Sequence, residues 1–156
     1  MYEHISVNDK ILDVMAHPAF EGRGRLLFPW DSRLRYNHRM TMKDAPKLLL
    51  WHTNMDPQQM VDGVNYLIDK VNEGKRILYD FYSEEDKIRD HTKKDTGLFF
   101  FRGKPGAPFA VCSAGGGMVY VGSLHGSIPH AIDLAGRGYN AFVMKYRVGH
   151  EDNAAA

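Results

Sequence analysis

The fold is decided by residues 108–123, which read PFAVCSAGGGMVYVGS. The stretch begins with a short apolar run, Phe109 to Cys112, which is typical of a strand buried on both faces. Three consecutive glycines, Gly115 to Gly117, follow shortly after it. Because glycine adopts backbone conformations that other residues avoid, such a loop can turn several amides toward one small volume and let a ligand approach them.

The residues after this loop complete a unit of strand, loop, helix and strand. The helix, near residues 127–135, is predicted by an apolar face at i, i+3, i+4 and i+7, formed by Ile128, Ala131, Ile132 and Ala135. The next strand is predicted over residues 139–146. A strand that reaches its neighbour through a helix forms a right-handed crossover, which makes the two strands parallel. We therefore predict an α/β fold with a mostly parallel sheet.

The residues before Gly74 have helical rather than strand periodicity. A short helix is predicted before His17, and irregular chain is predicted over residues 22–46. Asp56 is placed to cap a longer helix, which Gly74 ends. We interpret residues 1–74 as a helical cap segment.

Residues 75–156 are interpreted as the first part of an α/β core. Strands are predicted at residues 77–82 and 97–102, ahead of the apolar run, and all of them are expected to lie in one sheet with Tyr139–Lys145. The charged segment 84–94 between the first two strands is predicted to be a turn or loop.

Composition excludes several classes of protein. The chain has 156 residues, of which 44% are hydrophobic and 25% charged, and its formal net charge is +1. This balance is typical of a globular domain and gives no reason to expect a nucleic-acid partner. No apolar run reaches the roughly 18 residues of a membrane span. A single cysteine, Cys112, excludes an intramolecular disulfide framework and favours the cytoplasm.

Three interpretations of the glycine loop compete. A dinucleotide-binding loop needs G-x-G-x-x-G, but Tyr120 stands where the last glycine is required. The glycines can instead serve only a tight turn and close helix packing. In the third interpretation, the loop amides hold a negatively charged oxygen during acyl transfer. The histidines and the cysteine show no metal-ligand spacing, so no metal site is expected.

Residues 108–123, together with residues 138–149 (GYNAFVMKYRVG), resemble the β3–αA–β4 segment of esterase and lipase α/β-hydrolases. The similarity is greatest to the acetyl-esterase and hormone-sensitive-lipase-like groups, and it extends over residues 79–149. The loop of those enzymes reads His-Gly-Gly-Gly, so Ala114 occupies the position of the histidine.

The resemblance implies a serine esterase or lipase that hydrolyses small carboxylic esters without a cofactor. In the family, the amides of the second and third glycines point at the oxyanion, which corresponds here to Gly116 and Gly117. Gly115, Met118 and Tyr120 are then expected to line the substrate pocket. A histidine of the cap segment, His52, is a further candidate for this pocket, although a hydrogen-bonded structural role is favoured for it.

The family also needs a serine on a G-x-S-x-G elbow, followed by an acid and a histidine. No such motif occurs in residues 1–156. A dyad of Ser123 and His125 is an alternative, but a supporting role in the loop is favoured for both. We expect the triad on a C-terminal portion of the same hydrolase, present as a separate chain, with residues 151–156 as an exposed loop leading toward it. The alternative function is a non-catalytic α/β-hydrolase-like binding protein.

Overall fold

A computed structural model describes residues 1–29 and 36–149. The predicted loop at 151–156 and part of the predicted irregular segment 22–46 therefore lie outside the described residues. Four strands form one open sheet in the order β1-β2-β4-β3. Their bounds are Leu78–Tyr79 for β1, Gly97–Phe101 for β2, Phe109–Ser113 for β3 and Asn140–Lys145 for β4.

The crossover around the glycine loop is confirmed. Strands β3 and β4 are parallel neighbours, with Phe109 opposite Asn140 and Ser113 opposite Met144. The helix α4, Ile128–Gly136, connects them. The two remaining strand pairs, β1–β2 and β2–β4, are antiparallel. The molecule is thus α/β, but the prediction of a mostly parallel sheet is wrong for the described strands, because β2 runs antiparallel to both of its neighbours, β1 and β4.

The predicted long helix forms α2, Pro57–Asn72. The Asp56 side chain caps it by accepting a hydrogen bond from the Gln58 amide at 2.9 Å. Gly74 follows with a φ of +72°, the left-handed conformation in which helices commonly end. The predicted short helix is also present as α1, Ile11–Met15.

The prediction of a turn or loop over residues 84–94 is wrong. Residues Glu84–Arg89 form a helix, α3, and a 3₁₀ turn, His91–Asp95, follows it. The helix forms because Ser83 and Asp86 cap it reciprocally: each side chain accepts a hydrogen bond from the other residue's backbone amide. The segment 22–46, predicted to be irregular, likewise contains 3₁₀ turns at Gly24–Leu27 and Met42–Leu48.

The two faces of the sheet differ in burial. The inner face carries fully buried side chains of β2 and β4, namely Phe99, Phe101, Ala141 and Val143, and they share one core with residues of α1, α2 and α4. The outer face carries half-buried or exposed side chains at the alternate positions. On this face the Phe100 and Phe142 rings stack at 4.5 Å, and Phe109 meets Phe142 edge-on at 6.0 Å.

Strand β3 lies at an edge of the described sheet, so the prediction that it is buried on both faces is wrong. Phe109 is 70% exposed and Val111 is 52% exposed. The apolar run was informative about strand formation, but burial on both faces also requires a neighbouring strand and a covering layer. Within the described residues, β3 has a strand neighbour on one side only.

Candidate functional site

The loop from Ala114 to Gly122 folds back on itself. The Gly122 amide donates to the Gly115 carbonyl at 3.1 Å, and the Val119 amide donates to the Gly116 carbonyl at 3.1 Å. Gly117 and Met118, the two central residues of the second turn, both have a φ of +60°. This combination is that of a type I′ turn, and a positive φ is uncommon for a residue such as methionine. We name residues 114–122 the glycine loop.

The glycine loop presents four consecutive amides without an acceptor. The N–H groups of Gly115, Gly116, Gly117 and Met118 have no hydrogen-bond partner in the part of the chain that the structure describes. Gly116 is half-buried and the other three residues are exposed, so a ligand can reach the loop. Adjacent unpaired amides of this kind attract a negatively charged oxygen.

Two of the three glycines are required, each for a different reason. A Cβ on Gly116 would lie 1.7 Å from the Tyr120 carbonyl oxygen, so only glycine fits there. Gly117 has open space around it, but its positive φ favours glycine. Gly115 has neither constraint, since nothing lies within 4 Å of its Cβ position.

Two consecutive residues at the end of β4 hold the stems of the glycine loop. The Tyr146 hydroxyl donates to the Ala114 carbonyl at 2.8 Å. The Lys145 ammonium donates to the Val121 carbonyl at 2.9 Å and to the Phe28 carbonyl at 2.8 Å. Burial lowers the pKa of Lys145 to about 7, and the charge of Asp95 opposes this shift.

Sequence reasoning missed Lys145 and Tyr146 as residues of the site. A usable signal was present for the lysine. Ala141, Val143 and Lys145 are each two residues apart, so in a strand their side chains lie on the same face, which is the buried one. A lysine at such a position needs polar partners inside the protein, since lysine is almost never fully buried unless paired.

The glycine loop continues into a π-helical turn, Ser123–Ser127, and π-helical turns are frequent at functional sites. Ser123 and His125 are both buried in it. The His125 Nε2 lies 2.8 Å from the Ala45 carbonyl, which makes Nε2 the donor and leaves Nδ1 as an acceptor. Neither Nδ1 nor the Ser123 hydroxyl has a hydrogen-bond partner among the described residues. The structure therefore does not pair Ser123 with His125 as a dyad.

The other predicted pocket residues lie near the glycine loop to different degrees. Met118 and Tyr120 are part of the loop, Met118 exposed and Tyr120 half-buried. His52 belongs to a 3₁₀ turn of the cap segment, and its ring meets the His125 ring edge-on at 5.7 Å. Burial, and to a smaller degree the neighbouring His52, lowers the pKa of His125 to about 4. His52 thus contacts the π-helical turn behind the loop, and its role in substrate binding stays a prediction.

Within residues 1–29 and 36–149, no group of three or more histidine, cysteine, aspartate and glutamate side chains could hold a metal ion. No helix in the same ranges is both long and apolar enough to cross a membrane.

Comparisons with known proteins give no relative. No protein-family model, no curated protein and no solved structure matches the chain.

Proposed function

We propose that this chain is part of a serine esterase or lipase of the α/β-hydrolase type, and that its glycine loop forms the oxyanion hole. One observation carries the proposal: four consecutive unpaired amides follow the carboxyl end of β3, the first strand of a parallel pair, and precede helix α4. In α/β-hydrolases, the loop after the third strand donates amides to the oxyanion. The carboxyl ends of parallel strands are also where open α/β sheets bind their ligands.

In this proposal the loop stabilises the tetrahedral intermediate of ester hydrolysis. Attack on the ester carbonyl moves negative charge onto its oxygen, and the amides of Gly116 and Gly117 donate hydrogen bonds to that oxygen. Donors that are fixed before the reaction need no reorganisation when the charge develops. Gly115, Met118, Tyr120 and His52 are proposed to border the substrate.

The nucleophile is proposed to come from the C-terminal portion of the same hydrolase. The dyad of Ser123 and His125 is not formed, and no G-x-S-x-G motif occurs in the sequence. The open edge of β3 supports an additional strand there, because an unpaired strand edge readily accepts another strand. Exposed Phe109 and Val111 mark this edge.

The handedness of crossovers supports the same arrangement. The crossover from β3 through α4 to β4 runs in one direction along the sheet. A right-handed crossover from β4 to a strand beyond β3 would run in the opposite direction, which places its helix on the opposite face. That is the outer face, where Phe109 is exposed and the stacked rings of Phe100 and Phe142 are half-buried.

Labelling with a fluorophosphonate probe tests this function. The affinity-tagged chain is expressed in its source cells, purified under native conditions and treated with the probe, which reacts with activated serines. We expect a labelled serine outside residues 1–156, in a polypeptide that accompanies the chain, together with hydrolysis of p-nitrophenyl butyrate by the purified material. A label on Ser123 that disappears in Ser123→Ala would contradict the proposal. Material with neither label nor hydrolysis would favour the non-catalytic binding protein.

A further inference from the structure

The last residue of β4, Lys145, and the residue directly after the strand, Tyr146, reach opposite ends of the glycine loop. Tyr146 holds Ala114, the first residue of the loop, and Lys145 holds Val121, next to the last. Consecutive residues of an extended strand point in opposite directions. One strand end therefore fixes both the entry and the exit of the loop.

Lys145 also connects the glycine loop to the N-terminal segment of the chain. Its second bond reaches the Phe28 carbonyl, directly after the 3₁₀ turn Gly24–Leu27, and only 2% of the residue is exposed. Burying an amine is unfavourable unless its hydrogens find acceptors. Replacing Lys145 would in turn leave two carbonyls without a partner, which is more costly than the loss of an exposed hydrogen bond.

We propose that Lys145 and Tyr146 are positioning residues that hold the glycine-loop amides in the geometry needed for oxyanion binding. This inference rests on the proposed function. Neither side chain contacts the reacting atoms, since both act through backbone carbonyls at the stems of the loop. Donor geometry matters most in the transition state, so a loosened loop lowers kcat more than it changes KM.

Hydrogen exchange on the chain itself tests the first step of the inference. The informative amides are those of Val119 and Gly122, because their hydrogen bonds close the loop. Tyr146→Phe removes only the hydroxyl that donates to Ala114. We expect both amides to exchange about tenfold faster in this variant, because the loss of one hydrogen bond of ordinary net strength changes an equilibrium by about that factor. Tyr139→Phe is the matched control, because Tyr139 is exposed just before the start of β4. Lys145→Met keeps the apolar stem, removes two donors and should accelerate exchange further.

Kinetics on the native assembly with its serine-bearing partner test the second step. Tyr146→Phe should lower kcat for p-nitrophenyl butyrate about tenfold with KM changed less than about twofold, and Tyr139→Phe should change neither. Unchanged exchange at Val119 and Gly122 in both variants would overturn the inference. Faster exchange with an unchanged kcat in an active assembly would overturn it too. A wild-type assembly that shows no hydrolysis would instead overturn the proposed function. In that case, faster exchange in the Tyr146→Phe and Lys145→Met variants would still support the conclusion that these two residues hold the loop.

Discussion

The carbonyl oxygen of Tyr120 lies against the α-carbon of Gly116, so closely that a Cβ at Gly116 would be only 1.7 Å from it. The return of the glycine loop thus passes directly over one of the two proposed oxyanion donors. This contact fixes the peptide of Gly116, and it forbids any side chain at that position. The loop is therefore compact as well as glycine-rich, which a purely flexible linker would not be.

Gly116→Ala should disrupt the loop and its function together. The added methyl group forces the Tyr120 backbone to move, so we expect kcat of the native assembly to fall at least a hundredfold, as is typical when an oxyanion donor is lost. The melting temperature should fall as well. Gly136→Ala is the control, because nothing lies within 4 Å of that Cβ position and alanine favours a helix. A Gly116→Ala assembly with normal kcat and melting temperature would contradict the geometry of the loop.

The open edge of β3 should be needed for binding of the serine-bearing partner but not for folding of the chain itself. Val111 is 52% exposed, so Val111→Lys adds a charge where we propose that another strand and a helix pack. The variant should keep its melting temperature within a few degrees and lose co-purification of the serine-bearing partner. Ile88→Lys on α3 is the matched control, since Ile88 is 71% exposed and α3 follows β1, the strand at the opposite edge of the sheet. Equal recovery of the partner with both variants would show that β3 is not the docking edge.

The stability of the chain should depend on the ionisation of Lys145. Its pKa in the folded protein is lowered by burial to about 7, against an ordinary value of 10.5. Between these values the unfolded chain binds more protons, so the free energy of unfolding should rise with pH from about 7 to 9. Besides burial, the charge of Asp95 raises the pKa of Lys145 and the charge of Arg25 lowers it.

Urea unfolding at pH 7, 8 and 9 measures this dependence. Lys145→Met cannot titrate, so its free energy of unfolding should be lower but should rise less steeply over the same interval. The difference between the two proteins isolates the lysine from other groups, such as Cys112, whose pKa is raised by burial. Parallel pH dependences in the two proteins would show that Lys145 is charged to the same extent in the folded and unfolded states.

The sequence predicts the crossover well because its signals are local. The apolar run of β3, the helical spacing around Ile128 and the intervening glycines all lie within about one supersecondary unit, and the handedness rule fixes how they connect. The predicted parallel pairing of β3 and β4 is therefore confirmed. Helix α2 is confirmed for the same reason, since Asp56 and Gly74 mark its two ends.

The features that sequence reasoning missed depend on distant residues or on competing local signals. The exposure of Phe109 depends on the strands beside β3, which the apolar run does not specify. Helix α3 was predicted as a turn or loop because its sequence is highly charged, although Ser83 and Asp86 are correctly spaced for a capping box. The bond from Lys145 to Phe28 joins residues 117 positions apart, and no local pattern predicts that kind of contact.

Gly117 offers the most direct test of the oxyanion loop, because its side-chain position is open while its φ is +60°. Valine is strongly disfavoured at a positive φ, whereas asparagine tolerates it. Gly117→Val should therefore turn the amide away from the oxyanion, and Gly117→Asn should keep it in place. The decisive measurement is kcat of the native assembly for p-nitrophenyl butyrate, with melting temperatures taken on the same samples. We expect kcat to fall at least about a hundredfold for Gly117→Val, far beyond any loss of folded protein, and to fall much less for Gly117→Asn. A Gly117→Val assembly that keeps near-normal kcat, or loses activity only as far as it unfolds, would contradict the oxyanion role of the glycine loop.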